Sequence, residues 1–91
     1  MYQLQITDVR VFPVEINGSL VQAYATVTFD DSFVVRDLRI IEGKNGVFVS
    51  MPARRKRNGE YSDICFPISA TLRETLDKAV LTKYDEDLLE A

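Results

Sequence analysis

Apolar residues fall at alternate positions through most of the chain up to Ile68, and only after that point do they recur every three or four residues. A period of two is the mark of strands, and a period near 3.6 the mark of a helix. In the first stretch, residues 2–14, Leu4 and Ile6 share one parity and Val9 and Val11 the other. The change of phase falls at Thr7-Asp8 and predicts a bulge or bend there. Pro13 marks the end of this strand or an edge position. Asn17-Gly18 predicts a two-residue hairpin, since both residues tolerate positive φ. The next strand has the cleanest pattern: Val21, Ala23, Ala25, Val27 and Phe29 on one face, Gln22, Tyr24, Thr26 and Thr28 on the other. One face is therefore packed and one wetter, and the small alanines leave room for something bulky, such as a C-terminal helix.

Asp30-Asp31-Ser32 is a turn. The strand after it, Phe33 to Ile41, carries apolar residues on both faces: Val34, Leu38 and Ile40 with Arg36 on one, Phe33, Val35 and Ile41 with Asp37 and Arg39 on the other. It is predicted to be central or to meet a partner subunit, with Arg36, Asp37 and Arg39 forming an ion-paired patch. Gly43-Lys44-Asn45-Gly46 closes a further hairpin, and Val47, Val49 and Met51 alternate with Phe48 and Ser50 up to Pro52, which ends the strand by withholding a donor. A last apolar run, Ile64 to Ile68, follows the third Asn-Gly pair, Asn58-Gly59. Beyond it Leu72, Leu76, Ala79, Val80, Tyr84 and Leu88 trace one face of a helix over about 72–84. Thr71 and Glu74 read as its capping box, and Asp85-Glu86-Asp87 oppose the helix dipole, so fraying or a break is expected there. Residues 1–91 are thus expected to form one domain of the α+β class, a meander antiparallel β-sheet of about five strands with a C-terminal α-helix.

Composition bounds this picture. A chain of 91 residues buries only roughly 60–65% of the surface its unfolded form exposes. Its hydrophobic fraction of 46% supports one core but spares few residues for a deep cavity, and dimerisation would bury more apolar surface. No charged segment precedes an apolar stretch at the N-terminus, and no apolar run approaches the ~20 residues of a membrane span, so a cytoplasmic protein is expected. The single cysteine, Cys65, precludes an internal disulfide and reads as a small core residue between Ile64 and Phe66.

Charge changes the picture more. The net charge is −3, from 11 Lys+Arg and 14 Asp+Glu, which argues against nucleic acid as a partner. Its distribution argues otherwise. Arg36, Arg39, Lys44, Arg54, Arg55, Lys56 and Arg57 stand within residues 36–57 against only Asp37 and Glu42, leaving the other 12 carboxylates elsewhere. Four consecutive cations, Arg54 to Arg57, sit at a hairpin end between strands. Their mutual repulsion is relieved by a polyanion, and arginine grips phosphate or a guanine edge with two parallel hydrogen bonds. An acidic protein surface, or a nuclear-import receptor, would satisfy the same charges. So would solvent alone. Arg39 and Lys44 are candidates for secondary basic contacts.

Catalysis is hard to build from the same inventory. There is no histidine, hence neither the commonest general base nor the commonest metal ligand. No serine lies in a nucleophile-elbow context, and Cys65 alone makes no zinc site. Gly43-x-x-Gly46 has the spacing of a KH-domain loop but joins two strands, so it reads as a turn. The chain is expected not to be an enzyme and to need no cofactor or metal.

One long colinear pattern is more specific. Phe33-Val34-Val35-x-Asp37-Leu38-Arg39-Ile40-Ile41-Glu42-Gly43, then Asn45-Gly46-Val47-Phe48-Val49-x-Met51-Pro52, then Gly59-Glu60-Tyr61-x-Asp63-Ile64 and Pro67-Ile68, closely resembles the SpoVG (stage V sporulation protein G) septation-regulator family of bacteria. Ile6 to Arg10 and the helix around Lys78 to Tyr84 fit as well. The resemblance implies a small dimeric protein that binds DNA or RNA site-specifically and regulates septation, sporulation or surface-associated genes. The family's basic residues after Met-Pro fall on Arg54 and Arg55; Lys56 and Arg57 are candidates on charge alone. Ala53 stands where members usually have serine, and Cys65-Phe66 where they usually have Ala-His. The alternative is a protein-interaction module of the division machinery that grips an acidic partner.

Overall fold

The computed structural model describes residues 4–90. Strands β1 (Ile6–Pro13), β2 (Val21–Phe29), β3 (Phe33–Gly43) and β4 (Gly46–Ser50) lie side by side in chain order as one antiparallel sheet. Strands β5 (Ala53–Arg55) and β6 (Tyr61–Asp63) form a separate two-stranded ribbon, and helix α1 (Ala70–Glu90) follows. The α+β class and the meander agree with expectation. The strands number six in two sheets rather than about five in one.

Alternation in β2 is complete. Ala23, Ala25 and Val27 are fully buried, whereas Gln22, Tyr24, Thr26 and Thr28 are half-exposed. Helix α1 lies over the buried face and meets β1 and β4, the two outer strands. Leu76, Val80 and Tyr84 complete a core with Val11, Ala23, Ala25, Val27, Leu38, Ile40 and Val49. In β1 the predicted slip is real: Ile6 pairs with Phe29 but Asp8 with Thr28, leaving Thr7 as the extra residue. The Thr7 hydroxyl donates to the Thr28 carbonyl and accepts from the Asp31 N–H (2.9 Å), so the bulge is tied to the next turn. Residues 2–3 of the predicted first strand lie outside the described residues.

A second bulge overturns the face assignment in β3. Ala25 pairs with Leu38 and Val27 with Val35, so Arg36 and Asp37 together oppose Thr26. Asp37 takes a left-handed φ of 65°, which a short polar side chain tolerates better than a branched one. The extra residue reverses the phase, placing Val35 with Leu38 and Ile40 against the core and leaving Val34 exposed. The expected ion-paired patch does not form. Among the described residues no ion pair includes Arg36, Asp37 or Arg39.

The three Asn-Gly pairs all sit at reversals, but only their glycines are left-handed, at Gly18, Gly46 and Gly59. The turn at Asn17-Gly18 is the tip of a longer loop rather than a two-residue hairpin, with Ser19 N–H donating to the Ile16 carbonyl. The two-residue connection between β3 and β4 is Lys44-Asn45, with Gly43 paired to Gly46. It is Asp30 and Asp31 that supply two successive left-handed residues, closed by Ser32 N–H on the Phe29 carbonyl.

The apolar run Ile64 to Ile68 is not a strand. Ile64, Phe66 and Ile68 are exposed, Ile68 almost wholly, and Cys65 is exposed rather than in the core. The run connects β6 to α1 and pairs with neither outer strand of the main sheet, so its alternation is not matched by a ladder. An open apolar groove results, lined by Leu4, Phe33, Val35, Met51, Phe66 and Leu72 among others.

Helix α1 is longer than its apolar stripe. It starts at Ala70, capped by Ser69, whose hydroxyl accepts from the Leu72 N–H (3.1 Å). The predicted cap, Thr71, lies inside the first turn, where its carbonyl accepts from the Thr75 hydroxyl. The helix has no break at Asp85 and continues to Glu90, with Lys83 paired to Asp87 one turn on (3.3 Å). Ser69→Ala is expected to cost about 1 kcal/mol of unfolding free energy, and Thr71→Ala less than about 0.5 kcal/mol, in urea denaturation.

Candidate nucleic-acid interface

The chain leaves β4 through Met51 and Pro52, both buried, and enters the ribbon. Pro52 has no N–H to give, but its carbonyl accepts from the Ile64 N–H (2.9 Å) and so closes the ribbon's base. Above it Ala53 pairs with Asp63, Arg54 with Ser62 and Arg55 with Tyr61. The tip is a three-residue loop. Lys56 N–H donates to the Glu60 carbonyl (2.7 Å), Gly59 N–H donates to the Lys56 carbonyl (3.0 Å), and Gly59 turns at φ 89°. The Asn58 side-chain oxygen accepts from the Glu60 N–H (3.0 Å). A turn followed by a left-handed glycine is a common three-residue hairpin. A side chain in place of Gly59 would strain it.

Arg54, Arg55, Lys56 and Arg57 are all exposed. Strand alternation sends Arg54 and Arg55 to opposite faces of the ribbon, so the four cations form no single row. They surround one shallow cleft, completed by Ser62 and Ile64. Arg39 is brought to the same region from β3. Its guanidinium carbon lies 5.8 Å from the Tyr61 ring centroid, within cation–π range, and it donates to the Ser50 hydroxyl at 3.4 Å. Lys44 is not brought there; it sits in the β3–β4 turn, a full length of β4 away from the ribbon. Tyr61 escaped the sequence reading because nothing marks it until the ribbon places it between Arg39 and Arg55. All three residues of β6 are exposed, so no apolar alternation singles Tyr61 out.

Ion pairing divides the cations sharply. Arg10 pairs with Asp8 (3.0 Å), Arg73 with Asp77 (3.1 Å), Lys78 with Glu74 (3.9 Å) and Lys83 with Asp87 (3.3 Å). Each is local in sequence, and together they engage every cation outside residues 36–57. Among the described residues, none of the seven cations within 36–57 has a carboxylate partner. The segregation visible in sequence is therefore sharpened by folding: the acidic part neutralises its own cations, and the basic part keeps its field. No group of three or more potential metal ligands is found among the described residues, and no described helix is long and apolar enough to cross a membrane.

The SpoVG family model matches residues 4–86, which covers both sheets and most of α1. The chain belongs to the SpoVG family. Among similar proteins, one from Heliobacterium modesticaldum is 50% identical over 88 residues, 97% of this chain and 98% of that protein. One from Anaeromyxobacter sp. (strain Fw109-5) is 46% identical over 85 residues, covering 93% and 86%. One from Brevibacillus brevis is 49% identical over 82 residues, covering 90% and 85%. Each carries the name "Putative septation protein SpoVG". The SpoVG residues after Met51-Pro52 thus open the ribbon, which ties the position of Arg54 and Arg55 to a defined hairpin.

Because the ribbon stands on its own hydrogen bonds, it is expected to open independently of the core. Gly59→Val should abolish amide-exchange protection at Lys56 and Ile64, while amides of β2 and β3 keep theirs. Equal loss of protection in both sheets would show instead that the ribbon and the core unfold as one unit.

Proposed function

We propose that this SpoVG-family chain is a non-enzymatic regulatory protein of the bacterial cytoplasm that binds DNA or RNA through the β5–β6 ribbon. Its role is then in septation, sporulation or surface-associated gene expression. The observation that carries this reading is that, among the described residues, Arg54 to Arg57 and nearby Arg39 have no carboxylate partner, whereas every cation outside residues 36–57 is engaged. At a net charge of −3 the whole molecule does not attract a polyanion, so binding relies on the local field of the ribbon. Arg54 and Arg55 face opposite ways and would straddle a backbone, while Lys56 and Arg57 add charge at the tip.

The functional unit is a homodimer. Its support is the exposed apolar surface of Leu4, Phe33 and Phe66 on the groove beside α1, together with exposed Ile64 and Ile68 in the same connecting run as Phe66. Two ribbons on one ligand raise affinity through effective concentration, with no new kind of contact.

Two measurements test this. Arg54→Ala with Arg55→Ala is expected to weaken binding of labelled DNA or RNA and to lower the slope of log affinity against log salt by about 1 to 2. An unchanged slope places the site elsewhere. If the wild-type protein retains no nucleic acid at low salt yet co-purifies with one stoichiometric acidic protein, the ribbon serves protein interaction instead. Separately, Phe66→Asp with Ile68→Asp should give a monomer by light scattering where the wild type is a dimer.

A further inference from the structure

The face of the main sheet turned away from α1 is uncovered, and its residues follow from the register. Phe12 pairs with Tyr24, Tyr24 with Arg39, and Arg39 with Ser50, a straight row across all four strands. Their neighbours in sequence, such as Val11, Ala23, Leu38, Ile40 and Val49, are the buried ones, so this row lies on the open side. Phe12 is 53% exposed. One position along, Phe48 is 49% exposed, with its ring edge over Gly43, where an added Cβ would meet it at 3.0 Å. The row does not stop at the sheet edge. Tyr61, 64% exposed, lies against Arg39 from the ribbon and is paired in turn with Arg55.

The sequence of groups is therefore Phe12, Tyr24, Arg39, Tyr61, Arg55: aromatic faces interleaved with cations on a continuous path. Water is a poor partner for such rings, and a soluble sheet face is ordinarily polar when nothing covers it. Two cations on the path exclude most apolar partners. Aromatic rings with arginines among them suit unpaired bases, which stack on the rings while phosphates meet the guanidinium groups. A duplex hides its base faces and has no use for the rings.

We propose that the open sheet face, from Phe12 through Tyr24 and Arg39 to Tyr61, is a stacking platform for single-stranded nucleic acid, continuous with the Arg54–Arg57 ribbon. The ribbon holds the backbone; the platform holds the bases. The proposal rests on the nucleic-acid reading above and adds the strandedness of the ligand and a second set of binding residues.

The test uses the full chain with fluorescent oligonucleotides of about 16 residues, single-stranded DNA and RNA, and the matching duplexes. Phe12→Leu with Tyr61→Leu keeps apolar bulk and all charges but removes two ring faces. Single-strand affinity is expected to fall about tenfold or more, with the salt slope unchanged and duplex affinity within about twofold of wild type. In the unaltered protein, ultraviolet crosslinks to the single strand should map to Phe12, Tyr24, Phe48 or Tyr61, a readout that does not depend on a variant folding. If the leucine variant binds single strands as wild type does while the Arg54→Ala, Arg55→Ala variant is weakened, the platform is overturned and the ribbon reading stands. Wild-type protein that binds neither form at low salt overturns both. If the leucine variant turns from dimer to monomer by light scattering, the face belongs to a second copy, and the platform is likewise overturned.

Discussion

A single helix can cover only one face of a four-stranded sheet, and this constraint orders the molecule. The largest fully buried side chains lie between the two: Val27, Leu38 and Ile40 on the sheet face under α1, and Val80 on the helix. Burying each is worth about 2 kcal/mol, so the four together approach the whole net stability of a domain, about 5–15 kcal/mol. The small alanines of β2 matter here because they lie in the middle of that face, between the outer strands that the helix touches. What the helix covers is buried and apolar. What it leaves uncovered, the outer sheet face and the ribbon, is free to act.

Two of the three register shifts in the sheet adapt it to that division. At Thr7 the extra residue lets β1 change phase, and the threonine hydroxyl takes up the contacts the ladder loses. At Arg36-Asp37 the extra residue brings Val35 to the core and turns Arg36 and Asp37 out of the ladder. After this bulge the alternation restarts with Leu38 inward, so Arg39 faces outward toward Ser50 and Tyr61. A regular strand would have kept one phase from Phe33 onward, and Val35 and Leu38 could not both have reached the helix. The position of Arg39 beside the ribbon is thus a consequence of core packing several residues away.

Electrostatics follows the same line. A helix surface offers carboxylates one turn from each cation, and α1 uses this three times, at Arg73–Asp77, Lys78–Glu74 and Lys83–Asp87. Such exposed pairs contribute only a few tenths of a kcal/mol each. Their larger effect is on the field: they neutralise the helix's cations and leave the ribbon as the concentrated positive region of an acidic protein. The ribbon itself is a short hairpin with no core of its own, closed by Ile64 N–H on the Pro52 carbonyl and by a glycine turn. Its cations are exposed to solvent.

Periodicity in the chain was enough to determine β1 to β4, the slip at Thr7, the buried face of β2, the helix and the cationic hairpin after Pro52, because each rests on interactions between near neighbours. The long colinear pattern was enough to determine the family. What local pattern could not determine was decided by contacts distant in sequence. The phase of β3 depended on Val35 and Leu38 both meeting the core. The apolar run Ile64 to Ile68 looked like a strand, yet it pairs with no strand and connects the ribbon to the helix, leaving Cys65 exposed. The cap lies at Ser69 rather than Thr71, because the helix begins at Ala70, two residues before its apolar stripe. Most of all, the row from Phe12 to Arg55 draws on five strands, and only the register of the folded sheets brings its members side by side.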